Sequence, residues 1–97
     1  MRCALLVVFL FISVQNSLGA RSIDSLKNEL EAHPQLDKQR VDLLNELAFQ
    51  HWIVDPVMSE KYSRQALELA ITLSYPEGMA YANRSIGVSN WARGNYE

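Results

Sequence analysis

The sequence contains a single cysteine, Cys3, and it falls inside the first apolar run. A disulfide needs two thiols, so the rest of the chain has neither a disulfide framework nor a cysteine-based zinc or redox centre. Glycine is scarce too: its four positions, 19, 78, 87 and 94, never cluster, which excludes a phosphate-cradling glycine loop. His33 and His51 have no cysteine, further histidine or carboxylate pair at ligand spacing, so a metal or catalytic histidine site is not expected. His33, before Pro34 in a turn, is expected to be solvated, and His51, beside Trp52, to have a packing or surface role. Neither G-x-S-x-G nor H-E-x-x-H occurs. No basic patch is present to meet nucleic acid. No stretch alternates apolar and polar residues with period two, so no strand is expected. With no reactive constellation, the chain is read as a non-enzyme without a cofactor.

What is present begins with a leader pattern. Met1-Arg2 is followed by CALLVVFLFISV, residues 3–14, apolar and uncharged, and then by the polar-to-small stretch QNSLGA. That order of charged start, apolar run and small residues is the layout of a secretory signal peptide, here residues 1–20. Cleavage is expected after Gly19, with Ala20 as the alternative. Twelve apolar residues are short for an apolar layer about 30 Å thick, although an uncleaved anchor reaching Ala20 stays open. Export without disulfides points to a periplasmic or other extracytoplasmic site. Removing the leader takes away Arg2, leaving eight basic residues against eleven acidic ones, a balance of −3. The remaining length is marginal for a self-sufficient core.

Four helices are expected after the leader. The leading segment, residues 21–35, holds a helix from Asp24 to about His33, with Ile23, Leu26 and Leu30 on one side and Pro34 ending it. In the next, Val41, Leu44, Ala48 and Trp52 form a stripe widened by Leu43 and Leu47. Asp55-Pro56 then reads as a helix start: the carboxylate caps free backbone N–H groups, and proline at the first position loses no needed donor. Met58, Tyr62, Ala66, Leu69, Ala70 and Leu73 share a face of the third helix, which SYPEG interrupts. The fourth runs from about Pro76 to Arg93, and Gly94 suits the left-handed residue that ends a helix.

The chain also echoes itself. NELAFQHW, residues 45–52, aligns with RSIGVSNW, residues 84–91, at an offset of 39. Leu47 matches Ile86, Ala48 matches Gly87, Phe49 matches Val88 and Trp52 matches Trp91. In each copy a large apolar residue precedes a small one, at which a neighbouring helix is expected to press closely. These pairs resemble the Leu-Gly pair in the first helix of a tetratricopeptide repeat. RGNYE resembles that family's inter-helix turn, and YSRQALELA, residues 62–70, resembles its second helix, with Ala66 at the small position. An offset of 39 departs from the usual period of 34 and is similar to the longer bacterial variant. His51 and Asn90 stand where the family often has tyrosine.

The resemblance implies an all-α fold of antiparallel helix hairpins, an α-solenoid preceded by a signal-peptide helix. A first repeat would span residues 36–78 and the first half of a second residues 79–97. Because repeats bury their apolar faces against one another, Tyr96-Glu97 reads as the step into a helix that is not present, and the array as incomplete. The resemblance further implies a peptide groove lined by Asp42, Asn45, Phe49 and Trp52 in the first copy and by Tyr81, Arg84, Val88 and Trp91 in the second. Asn45 and Arg84 take the position that in relatives often holds a peptide's backbone or carboxylate. Both tryptophans also suit packing between helices. The function implied is an exported protein- or peptide-interaction module, the sensor part of a bacterial signal-transduction protein. Two alternatives stand beside it: the front of a signalling enzyme, a histidine kinase or nucleotide cyclase, or a protein that oligomerises.

Overall fold

The computed structural model describes residues 21–94. The expectations for the leader, residues 1–20, and for Tyr96 and Glu97 lie outside them. The described residues form four helices, α1 Ile23–Ala32, α2 Lys38–His51, α3 Pro56–Thr72 and α4 Pro76–Gly94, with no strand among them.

Local chemistry explains each boundary. The side chains of Ser22, Asp37 and Asp55 accept hydrogen bonds from the backbone N–H groups of Ser25, Arg40 and Met58 at 3.1, 3.1 and 3.2 Å. Each thereby satisfies a donor that the first helical turn leaves without a partner. Pro56 follows its cap as expected. The α3–α4 connection turns on Ser74, whose φ of 53° makes it the one non-glycine residue in the left-handed region among the described residues. There the Tyr75 N–H reaches back to the Ala70 carbonyl at 2.8 Å, closing the end of α3. Gly94 does not take that role at the other end. It continues α4, and no described glycine has positive φ. His33, expected to be solvated, is half-buried and pairs with Asp37 across 2.8 Å.

Successive helices run antiparallel. Ser59 near the start of α3 meets Ala48 near the end of α2, while Val41 from the start of α2 shares a core with Ala70 from the end of α3. The same crossing relates α3 to α4 through Ser59 with Ser89 and Ala70 with Ala82. Helices α2 and α4 are therefore parallel neighbours. They approach closely at Gly78, where an added Cβ would fall 2.6 Å from Val41 Cγ1.

Two apolar clusters hold these helices. Val41, Leu44, Ala66, Ala70 and Ala82 join α2, α3 and α4, with Tyr62, Leu69, Leu73 and Met79 packed around them. Leu26, Leu43 and Leu47 fasten α1 to the opposite side of α2. Helix α2 is thus apolar on two sides because it has neighbours on both. Arg21 adds ion pairs to Glu29 and Glu46, and Arg40 donates to the His33 carbonyl at 2.9 Å.

A polar seam crosses this core. Ser59 Oγ donates to the Ala48 carbonyl at 2.7 Å, Ser89 Oγ to Ser59 Oγ at 3.1 Å, and Ser63 Oγ to the Ser59 carbonyl at 2.8 Å. All three serines are fully buried. Hydroxyls at these positions remain compatible with burial because each donates a hydrogen bond.

The expected symmetry of the two small residues does not hold. Ala48 is fully buried beside α3, whereas Gly87 is exposed and a Cβ there would meet nothing within 4 Å. The face of α4 that carries Gly87 has no described helix against it, so a bulky residue would meet solvent at this position.

Candidate functional site

A cleft of about 350 Å³ opens between α2 and α4, lined by Phe49, Trp52, Tyr81, Arg84, Ser85 and Val88. Phe49 lies in the last turn of α2, and Trp52 is the residue that caps the helix. Tyr81, Ser85 and Val88 follow one another at steps of four and three along α4, so one helical stripe carries them. The helices touch at Gly78, where glycine permits close approach, and leave the cleft toward the far end of α2.

The surface is mainly apolar and aromatic. Phe49 and Tyr81 are 65% and 62% exposed although each has neighbouring apolar groups. No acidic residue lines the cleft. Arg84 supplies its cation. Arg21, Arg40, Arg64 and Arg93 each hold carboxylates, carbonyls or an amide oxygen within the fold. Among the described residues Arg84 has no such partner, and its guanidinium is available to an oxygen-bearing ligand. Serine at 85 adds a hydroxyl donor and acceptor beside it.

The remaining residues expected in the groove are placed elsewhere. Asn45 is buried beneath, its Nδ2 donating to the Gly78 carbonyl at 3.2 Å, so its amide joins α2 to α4. Asp42 accepts a hydrogen bond from the Tyr75 hydroxyl at 2.8 Å. That bond raises the Tyr75 phenol above its ordinary value of 10.0, with burial and the Asp42 charge adding to it. Trp91 is 66% exposed and is not among the lining residues. Phe49, Trp52, Tyr81, Arg84 and Val88 are brought together. Ser85 joins them, and its signal in the sequence is the four-residue step from Tyr81, which puts both on one stripe.

His51 lies one residue from this wall but faces the interior. It is 8% exposed, and its ring stacks on that of Tyr62 with centroids 5.4 Å apart and 24° between planes. No group of His, Cys, Asp and Glu among the described residues is arranged to hold a metal ion. No helix among them is long and apolar enough to cross a membrane.

In comparison with known proteins, the chain matches no family model, no curated protein and no solved structure.

Proposed function

We propose that residues 21–94 are a peptide-binding module of the tetratricopeptide-like kind, taking an extended segment that pairs apolar side chains with a carboxylate. The carrying observation is the apolar cleft between α2 and α4 with Arg84, unpaired among the described residues, on its wall. Aromatic and aliphatic lining offers area to bury, and a guanidinium can hold a carboxylate through two parallel hydrogen bonds. The parallel relation of α2 and α4, with α3 between them, supports reading the 39-residue echo as a repeat. Phe49 and Val88, equivalent in that echo, both line the cleft. The leader pattern extends this reading to an exported module, and the resemblance extends it to the sensor part of a signalling protein.

The test uses the isotope-labelled 97-residue chain and two short peptides, one alternating leucine with glutamate and one alternating leucine with lysine. The acidic peptide is expected to shift the resonances of Phe49, Trp52, Tyr81, Ser85 and Val88 and to lose about tenfold or more in affinity with Arg84→Ala, as charge-assisted hydrogen bonds are commonly worth about 1.5–3 kcal/mol. Equal response to both peptides, an unchanged affinity in the variant, or shifts confined to another face would overturn the proposal.

A further inference from the structure

His51 ends α2, and none of its burial is explained by a hydrogen bond. Both ring nitrogens are inaccessible to solvent, and neither has a partner. A neutral imidazole leaves one donor and one acceptor unsatisfied there; an imidazolium would leave two donors and a full charge. The ring instead has a flat apolar contact, the Tyr62 phenol ring of α3. Two charges act on it. Lys27, from α1, disfavours protonation, and Asp55, which caps α3, favours it. The Asp55 carboxylate already accepts the Met58 N–H.

We propose that His51 is a proton-operated latch: its neutral ring holds the end of α2 on Tyr62, and protonation releases the corner formed by α2, the Trp52–Asp55 turn and the start of α3. In this arrangement neither ring nitrogen has an acceptor, so an imidazolium is satisfied only when the contact with Tyr62 opens and lets water or the second oxygen of the Asp55 carboxylate reach the ring. Trp52 directly follows His51, so the same opening loosens one wall of the cleft. Burial, the largest influence, together with Lys27 holds the ring below its ordinary value of 6.5, with Asp55 opposing them. The sign follows from that direction. Well above 6.5 the ring is neutral in folded and unfolded chains alike and pH has no effect through it. Below that value the unfolded chain binds a proton that the folded chain resists, so stability falls until the folded ring itself titrates. The latch does not depend on what the cleft binds.

The experiment follows urea unfolding of the 97-residue chain between pH 7.5 and 5, beside His51→Phe and His33→Gln, with the ring resonances of both histidines recorded. The wild-type midpoint is expected to drop by roughly 1 M urea per pH unit below 6.5. His51→Phe, which keeps the stack without a titrating nitrogen, should flatten that slope, and His33→Gln should retain it. Should His51→Phe not fold, the wild-type chain decides alone: the His51 ring should resist protonation below the pH at which free imidazole titrates. A flat wild-type curve, a slope abolished by His33→Gln, an equal slope in His51→Phe, or a His51 ring that titrates at its ordinary value would overturn the latch.

Discussion

Ser89 Oγ lies 3.1 Å from Ser59 Oγ, and the two hydroxyls join α4 to α3 where no solvent reaches either side chain. Ser59 also donates to the Ala48 carbonyl at 2.7 Å, so one residue ties three helices together. Ser59→Ala should cost about 1–3 kcal/mol, because it leaves the Ser89 hydroxyl buried without its acceptor. The double variant Ser59→Ala, Ser89→Ala should cost less than the sum of the single ones, with a coupling of about 0.5 kcal/mol or more. Urea unfolding of the four chains measures it. Strict additivity would mean that the hydroxyl pair contributes nothing of its own.

Gly78 in the first turn of α4 and Gly87 further along it should respond in opposite senses. Gly78→Ala puts a methyl group 2.6 Å from Val41 Cγ1 and 2.6 Å from the Tyr75 ring. Tyr75 is partly exposed and can swing, but Val41 is fully buried, so overpacking of about 1–3 kcal/mol is expected. Gly87→Ala meets open space and should stabilise α4 by roughly 0.5–1 kcal/mol through its lower backbone entropy cost. Thermal unfolding of both variants checks the pair of signs, and a destabilised Gly87→Ala would require a contact on the outer face of α4.

That second position marks a limit of what could be read from residues alone. Asp55-Pro56, Pro34 and Pro76 punctuate the chain legibly, since capping and the loss of a backbone donor are local effects. The α2 stripe was legible as well, because leucine and valine at helical spacing have one economical destination. Whether a small residue is pressed by a neighbour depends on which neighbour arrives, so Ala48 and Gly87 look equivalent in sequence and differ in space. Ser59, Ser63 and Ser89 hide for another reason: a serine scores as polar at any address, and only its partners make burial tolerable. Five of the cleft's six lining residues were among those the repeat resemblance implied. Asn45, also among them, is drawn inside by the Gly78 carbonyl, an acceptor more than thirty positions away.

Acid should expose the role of Asp37. The hydrogen bond from His33, followed by that from the Arg40 N–H, holds its carboxyl below the ordinary value of 3.8. A carboxylate with a depressed value adds stability above its unfolded value and loses it as pH falls through the folded one. The advantage of the wild-type chain over Asp37→Asn should accordingly be full at about pH 5 and shrink steadily below about 3.8. Urea midpoints of both chains across that window decide the matter, and an advantage unchanged at about pH 2.5 would contradict it.

The contact at Gly78 acts as a fulcrum. Helices α2 and α4 are pinned where glycine lets Val41 come close, and they bound a cleft further along. A residue absent from the cleft's wall therefore sets how closely its two helices approach. A tilt at that pivot would be magnified at Trp52 and Val88, so a substitution at Gly78 would change the size of side chain that the mouth admits without altering a single lining residue.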